Sequence, residues 1–313
     1  YDTAMSQAFF ADLAIPEPQI NLGIGSASHG AQTGAMLAAL EEVFLAERPD
    51  WVLVYGDTNT TLAAALAAVK IHQPVAHLEA GLRSFNRRMP EEHNRVLTDH
   101  AADLLLAPTE VAMEHLRHEG LGDLSQLVGD VMTDVCYRVA DSAVPSWRLQ
   151  PPPADGYFLA TIHRPANTDE PDRLRGIVQA LADLPGPVRL AAHPRLRAKA
   201  TDAGIDLAAA GIEVCDPLPY PELVAAVIGA RGVVTDSGGL QKEAYLLGRP
   251  CTTVRPETEW VETLADGWNL LAPDAAQIVP AASRPTPTSP RTEPYGDGHA
   301  ATRVATALAD SAI

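Results

Sequence analysis

The chain has 313 residues, enough for two domains, and its 46% hydrophobic fraction excludes disorder over most of its length. Its 40 acidic and 23 basic residues give a net charge of −17, which would repel the phosphate backbone of a nucleic acid. Three well-separated cysteines exclude a disulfide scaffold and no apolar run is long enough to span a membrane, so we expect a cytoplasmic protein that binds neither nucleic acid nor membrane.

From Glu42 onward, short runs of β-branched residues alternate with alanine-rich amphipathic stretches. This alternation is typical of βα units with parallel strands, so the sequence predicts an α/β fold with two sheets. Strands are predicted at Trp51–Tyr55, Val75–Leu78, Leu104–Ala107, Tyr157–Ile162, Val188–Ala192, Val233–Thr235 and Cys251–Val254. Helices are predicted at Thr60–Lys70, Thr109–His118, Pro171–Leu181, Pro221–Ala230 and Leu240–Leu247.

A proline-rich stretch without apolar periodicity, Val144–Gly156, is the predicted linker between two domains. We place the N-terminal domain at residues 1–146 and the C-terminal domain at residues 147–295. Ser283–Pro294 is rich in Ser, Thr and Pro and is predicted to be a loop. Residues 296–313 have apolar side chains at helical spacing, so this last helix must dock on a domain surface, and the N-terminal domain is one option.

The first group of polar residues, GDTNT, directly follows a predicted strand. In a parallel α/β sheet, ligands bind outside the carboxyl ends of the strands, so Asp57 of this motif is expected to face a cleft. The alternative is that Asp57 or Thr58 only caps the helix that follows.

The second group, HLEAGLR, follows the next predicted strand and combines the imidazole of His77, the carboxylate of Glu79 and the guanidinium of Arg83. Such a density of chemically active side chains indicates a functional site. A solvated cluster of salt bridges is the alternative explanation.

The motif MPEEHNR predicts the start of a helix, because Pro90 fits the first turn and Glu91 and Glu92 suit the positive end of the helix dipole. That role is the simplest explanation of both glutamates. However, consecutive loops at one sheet edge would also bring together Asp57, Glu79 and Glu91. Neighbouring carboxylates raise one another's proton affinity, as general acid/base catalysis near neutral pH requires.

In the second half of the chain, TIHRPANTD places His163 and Arg164 at the end of a predicted strand. A phosphate or a leaving oxygen could bind there, although a lone histidine is more often structural. The sequence contains no phosphate loop, no HExxH or CxxC motif and no metal ligands at the usual spacing. We therefore expect neither a metal nor another cofactor.

The motif TDSGGLQKE predicts a strand, then Ser237, Gly238 and Gly239, then a helix. Glycines let the backbone approach an anion closely, and the first N–H groups of a helix are free to bind it, so this motif predicts a diphosphate site. Glu243 of the same motif could accept hydrogen bonds from ribose hydroxyls, or could be an ordinary solvated helix acid.

Taken together, six motifs in this order resemble the non-hydrolysing UDP-N-acetylglucosamine 2-epimerases: GDTNTT, HLEAGLR, MPEEHNR, TIHRPANTD, HPR and TDSGGLQKEAYLLGRP. The resemblance extends from about Asp2 to the last helix. It implies two Rossmann-like domains in a glycosyltransferase-B arrangement, an active site in the interdomain cleft and a homodimer. It also implies a reversible reaction between UDP-N-acetylglucosamine and UDP-N-acetylmannosamine, in which anti elimination of UDP forms 2-acetamidoglucal and UDP is then re-added with inversion at C2.

Matched position by position, the resemblance implies four catalytic residues, Asp57, Glu79, Glu91 and His163. It implies seven residues that bind the UDP-sugar: Arg83, Arg164, His193, Ser237, Gly238, Gly239 and Glu243.

The chain departs from the family pattern in three places. The family's opening strand and its Gly-(Thr/Ala)-Arg-Pro motif have no counterpart, so the first βα unit of the N-terminal domain is expected to be missing. Pro165 and Ala166 replace polar residues that hold a second, activating UDP-N-acetylglucosamine, so we expect this activation to be lost. Trp260 resembles a subgroup of the family and could alter the sugar pocket.

Three alternatives remain open: a glycosyltransferase of the same architecture, an epimerase that releases free N-acetylmannosamine, and a non-catalytic UDP-sugar binder. The three acids favour an epimerase over a transferase. A transferase needs at most one base for its acceptor, whereas elimination and re-addition need groups near C2 as well as near the leaving oxygen.

Overall fold

The computed structural model of the chain describes residues 15–142, 156–208 and 211–311. These residues form two compact units. Unit 1 holds residues 16–135 and 293–311, and unit 2 holds mainly the described part of 136–292. The predicted linker Val144–Gly156, except for Gly156 itself, lies outside the described residues.

The described part of the chain contains ten strands and twelve α-helices. The strands are β1 (Val52–Tyr55), β2 (Val75–Leu78), β3 (Leu104–Ala107), β4 (Ser125–Leu127), β5 (Phe158–Thr161), β6 (Val188–Ala191), β7 (Ile212–Cys215), β8 (Gly232–Thr235), β9 (Cys251–Thr253) and β10 (Asn269–Leu271). The helices are α1 (His29–Glu47), α2 (Asn59–Lys70), α3 (Pro90–Ala101), α4 (Glu110–His118), α5 (Val131–Ser142), α6 (Pro165–Thr168), α7 (Pro171–Ala182), α8 (Pro194–Asp202), α9 (Tyr220–Gly229), α10 (Gly238–Leu246), α11 (Ile278–Ala282) and α12 (Ala300–Asp310). None of these helices is both long enough and apolar enough to cross a lipid bilayer.

The seven predicted strands and the five helices predicted between Thr60 and Leu247 are present, with ends that differ by no more than two residues from the prediction. The last helix, predicted within residues 296–313, forms at Ala300–Asp310. The predicted α/β class with two Rossmann-like parallel sheets is confirmed. Ser283–Pro294 forms no helix or strand, as predicted. Strands β4, β7 and β10 have no predicted counterpart, because each has at most four residues and no more than one of them is buried.

Unit 1 is built on a parallel sheet in the order β1-β2-β3-β4. All residues of β2 and β3 are buried, which is typical of central parallel strands covered on both faces. Helix α12 packs on this sheet, since Val304 and Ala307 join the same apolar core as Leu78 and Leu106. The side chain of Asp134 accepts hydrogen bonds from the first two N–H groups of α12, and this contact holds the start of the helix on unit 1.

Unit 2 is built on a parallel sheet in the order β10-β9-β8-β5-β6-β7. The central strands β5 and β8 pair in a register that places Thr161 opposite Thr235. The loops that follow these two strands therefore start side by side, at the position where ligands bind in doubly wound sheets.

Candidate active site

The carboxyl ends of β1 and β2 bring two of the predicted catalytic acids together in unit 1. Tyr55 pairs with Leu78, so Asp57 and Glu79 follow neighbouring strand ends. A Cβ atom added to Gly56 would lie 3.2 Å from a carboxylate oxygen of Glu79, so this carboxylate lies directly against the backbone next to Asp57. Glu79 has a φ of 68°, a left-handed conformation that is uncommon outside glycine and is concentrated at functional sites.

Asp57 is held by helix α3. Its side chain is 30% exposed and forms an ion pair with Arg95, while Asn94 donates a hydrogen bond of 2.9 Å to its main-chain oxygen. Thr58, and not Asp57, caps α2, because its hydroxyl accepts the N–H of Thr61. The carboxylate of Asp57 is therefore not used as the helix cap.

The two adjacent glutamates at the start of α3 have different environments. Glu91 is exposed on the first turn. Glu92 is buried, and its carboxylate accepts hydrogen bonds from the N–H and hydroxyl of Ser84 and from the N–H of Phe85. Burial alone would raise the pKa of Glu92, but these hydrogen bonds and the charge of Arg95 hold it below its ordinary value. Glu92 thus fastens the preceding loop, and Glu91 is the glutamate that a ligand could reach.

Arg83 is not brought to this group, since its side chain is only 1% exposed. It donates two hydrogen bonds of 2.8 Å to Glu119, donates one of 2.7 Å to its neighbour's carbonyl and lies 2.7 Å from Asp99. These groups contact all three nitrogens of the guanidinium. In this conformation Arg83 links loop and helix inside unit 1, whereas the resemblance implies a contact with a UDP-sugar.

Asp99 is a buried residue that the sequence analysis did not single out. It lies 2.6 Å from Nδ1 of His77 and accepts a hydrogen bond from the N–H of Gly81. Nε2 of His77 lies 2.7 Å from the carbonyl of Gly56, which can only accept, so Nε2 carries a proton. Burial would raise the pKa of Asp99, but His77 and Arg83 hold it below its ordinary value. The sequence signal that could have identified Asp99 is its spacing from Glu92 and Arg95, which places all three residues on one face of α3.

In unit 2, His163 and His193 follow the neighbouring strands β5 and β6, and their ring centroids are 5.6 Å apart. His193 caps helix α8, where its Nδ1 accepts the N–H of Arg195 at 3.1 Å. Burial, together with the charges of His193 and Arg164, holds the pKa of His163 below its ordinary value, although Asp236 opposes this shift. His163 is therefore a neutral imidazole at neutral pH.

Ser237 caps helix α10 through its hydroxyl, which accepts the N–H of Leu240. Gly238 and Gly239 are the first two residues of this helix, so their N–H groups have no partner within it. Glu243, on the next turn, is only 5% exposed, so the alternative of a solvated helix acid is wrong. This helix start offers a cap hydroxyl, helix N–H groups and a buried carboxylate.

Glu259 lies beside the same helix start. A Cβ atom on Gly238 would lie 2.8 Å from a carboxylate oxygen of Glu259 and 3.5 Å from the ring nitrogen of Trp260. Arg255 donates a 2.8 Å hydrogen bond to Glu259, and Arg164 lies 4.0 Å from it. Burial would raise the pKa of Glu259, but Arg255 holds it below its ordinary value. Neither Glu259 nor Arg255 was singled out as a site residue from the sequence.

Within the described residues, no group of three or more His, Cys, Asp or Glu side chains is arranged to hold a metal ion. Each unit instead presents organic groups at the carboxyl edge of its own sheet. Unit 1 offers carboxylates for proton transfer, and unit 2 offers a neutral histidine beside a helix start that favours an anion.

Comparisons with known proteins connect these groups to one family. The family model described as UDP-N-acetylglucosamine 2-epimerase matches residues 1–309. The UDP-2,3-diacetamido-2,3-dideoxy-D-glucuronate 2-epimerase of Pseudomonas aeruginosa is 45% identical over 318 residues, which cover 99% of this chain and 88% of that protein. The UDP-N-acetylglucosamine 2-epimerase of Methanocaldococcus jannaschii is 38% identical, with 97% of this chain and 87% of that protein covered.

Solved structures give the same result. The Methanocaldococcus jannaschii UDP-GlcNAc 2-epimerase in complex with UDP-GlcNAc and UDP has a TM-score of 0.87 at 37% identity, covering 97% of this chain and 88% of that one. The Neisseria meningitidis enzyme bound to UDP-GlcNAc has a TM-score of 0.88 at 26% identity, covering 99% and 90%. The chain therefore belongs to the UDP-N-acetylglucosamine 2-epimerase family.

Proposed function

We propose that this protein interconverts UDP-N-acetylglucosamine and UDP-N-acetylmannosamine. The observation that carries the proposal is the grouping of acids in unit 1: Glu79 lies against the loop of Asp57, and helix α3, which has Glu91 in its first turn, binds Asp57 through Arg95. Inversion at C2 requires removal of a proton from one face and delivery of a proton to the other, so more than one proton-transfer group is needed.

In the proposed reaction, a base takes the C2 proton while the bond between C1 and the diphosphate oxygen breaks, which leaves 2-acetamidoglucal and UDP. The diphosphate oxygen then attacks C1 again, and C2 receives a proton on the opposite face. Asp57, Glu79, Glu91 and His163 are the proposed proton-transfer groups. The start of helix α10, with Ser237, Gly238 and Gly239, is proposed to bind the diphosphate, with Glu243 on the ribose, while Arg164 and His193 contact the UDP-sugar.

Proton NMR of the protein with UDP-N-acetylglucosamine in deuterated water tests this function. We expect UDP-N-acetylmannosamine to accumulate with deuterium at C2 in both sugars. Free N-acetylmannosamine would instead identify a hydrolysing epimerase, and transfer of the sugar to an acceptor would identify a glycosyltransferase. UDP binding without any turnover would identify a non-catalytic binder.

A second substrate is favoured by one observation. The 45% identical relative carries the name of an epimerase for UDP-2,3-diacetamido-2,3-dideoxy-D-glucuronate, whereas the relatives named for UDP-N-acetylglucosamine that are compared above are 38% identical or less. The two substrates should be compared by kcat/KM in the same assay. A ratio that favours the diacetamido uronate by tenfold or more would assign the protein to that substrate.

The acids are tested by Asp57→Asn, Glu79→Gln and Glu91→Gln, each of which is expected to lower turnover by about a hundredfold or more. Glu110→Gln is the matched control, because Glu110 is an exposed acid at the first position of another helix of unit 1. A site variant with the turnover of this control would remove that acid from the proposed mechanism.

The resemblance also suggests a homodimer and a changed regulation, which we propose for this chain. Sedimentation measurements test the dimer. Pro165 and Ala166 are exposed at the start of α6, and neither side chain can form a hydrogen bond to an activating nucleotide. We expect initial rates that depend hyperbolically on substrate concentration, and a sigmoidal dependence would show that activation is retained.

A further inference from the structure

Asp236 is a fully buried carboxylate directly after β8, and it is not among the proposed catalytic or binding residues. Both of its oxygens lie 3.1 Å from the N–H of His163, and one accepts hydrogen bonds of 2.9 Å from the N–H of Arg164 and from the side chain of Asn167. The other oxygen lies 3.2 Å from Nδ1 of His163. Asp236 thus contacts both the backbone and the ring of His163.

The charge of Asp236 bears on which nitrogen of His163 carries the proton. The negative charge of a carboxylate 3.2 Å from Nδ1 favours a proton on that nitrogen, so in the neutral ring Nε2 keeps its lone pair. The side chain of His163 is 39% exposed, and among the residues that the structure describes none donates a hydrogen bond to Nε2. The lone pair of Nε2 is therefore available to a ligand.

His193, the neighbouring ring, has the opposite tautomer. Its Nδ1 accepts the N–H of Arg195 at the start of α8, so in the neutral ring the proton is on Nε2. Two adjacent histidines thus present different groups, an acceptor on His163 and a donor on His193.

We propose that Asp236 is a positioning residue that holds His163 as the Nδ1–H tautomer, so that the lone pair of Nε2 accepts the C2 proton of the reacting sugar nucleotide as the bond between C1 and the diphosphate oxygen breaks. Uptake at Nε2 turns the imidazole into an imidazolium, whose positive charge Asp236 stabilises. Release of a proton from Nε2 to water restores the neutral ring, while another group delivers the new proton to C2 on the opposite face. The proton transfer with the sugar nucleotide rests on the proposed function, whereas the tautomers of His163 and His193 do not.

Within residues 15–142, 156–208 and 211–311, three ionisable groups face His163: Asp236, Arg164 and His193. Of these, only Asp236 favours the protonated ring. The variant Asp236→Asn removes this favourable charge, so the pKa of His163 is expected to move further below its ordinary value.

The first experiment measures the tautomers of the unmodified protein by 15N NMR of the histidine rings at neutral pH. Signals are assigned from the spectra of His163→Gln and His193→Gln. We expect a protonated Nδ1 in His163 and, as an internal control, a protonated Nε2 in His193. A protonated Nε2 in His163 would overturn the proposal, whether or not any variant of Asp236 folds.

The second experiment follows turnover and UDP binding of Asp236→Asn. We expect kcat to fall by roughly 10²–10⁴-fold while the affinity for UDP changes by less than about threefold. In the His163→Gln background, the same substitution is expected to change kcat by less than about threefold, because Asp236 acts through the ring that this background lacks. An equal loss in both backgrounds would show that Asp236 only supports the fold.

Asn167→Ala is the matched control, because it removes a hydrogen bond to the same carboxylate without touching the ring of His163. We expect Asn167→Ala to lower the free energy of unfolding. The titration midpoint of His163 in this variant should be higher than the midpoint of His163 in Asp236→Asn. If the tautomers are as expected but no sugar nucleotide is epimerised, the proposed function fails and the role of Asp236 in fixing the tautomer stands.

Discussion

Replacing Arg83 by methionine distinguishes a structural role from the ligand contact that the resemblance implies. The substitution keeps most of the side-chain volume but removes the partner of Asp99, which is fully buried, and of Glu119, which is 27% exposed. Breaking a buried ion pair from one side costs about 3–5 kcal/mol, because an uncompensated charge remains inside the protein. At roughly 2–4 °C per kcal/mol, the melting temperature is expected to fall by about 6–20 °C.

Urea unfolding at pH 7 measures this loss, and calorimetry measures the affinity for UDP. Arg87→Met is the matched control, because Arg87 is exposed in the same connection, and its unfolding free energy is expected to change by no more than about 0.5 kcal/mol. A purely structural role for Arg83 is refuted if Arg83→Met has the unfolding free energy of the control but binds UDP more weakly. In that case the guanidinium leaves its buried partners to contact the ligand.

Three further predictions concern stability and binding. Gly81→Ala should lower the free energy of unfolding in urea by about 2–5 kcal/mol, since φ is 80° and the new Cβ would lie 2.8 Å from a Leu side chain. The control Gly120→Ala, with φ of 79° and no neighbour within 4 Å, should lower it by only about 1–2 kcal/mol. Equal losses would contradict a steric clash at Gly81. Ser237→Ala should weaken UDP by about 1–3 kcal/mol in calorimetry, while Thr109→Ala, which removes a similar cap in unit 1, should leave that affinity unchanged. The pKa of Asp99 in the folded state lies below its ordinary value, so the ionised carboxylate stabilises the fold above the unfolded-state pKa, and this stabilisation is lost as the pH falls. The free energy of unfolding should therefore decrease below about pH 4. An unfolding free energy that stays constant in acid would contradict this.

Strands and helices with strong patterns could be predicted from the sequence, and weakly patterned elements could not. Strand β3 is a continuous apolar run that is buried throughout, so its residues mark it clearly. Strand β4 has three residues, of which two are exposed, and its stability depends on pairing with β3. Such pairing is a tertiary effect that no local pattern reveals.

The residue types of the candidate site could also be predicted, but their orientations could not. Glu91 and Glu92 are chemically identical neighbours, yet one is exposed and the other is buried under a loop. Similarly, Arg83 belongs to the same motif as Glu79, but its side chain points into the interior of unit 1. Which side a residue faces depends on partners such as Asp99 and Glu119, which are distant in sequence and lie outside the motif that contains Arg83.

The packing of helix α12 in unit 1 has a consequence for biosynthesis. Val304 and Ala307 complete an apolar core whose other members, such as Leu78 and Leu106, leave the ribosome about two hundred residues earlier. All strands of unit 2 are synthesised in between, so unit 2 can complete its sheet while unit 1 still lacks its last helix. Closing such a long chain segment is slow, and the nascent unit 1 exposes apolar surface until then. We expect ribosome-bound chains that stop before Ala300 to bind chaperones through unit 1.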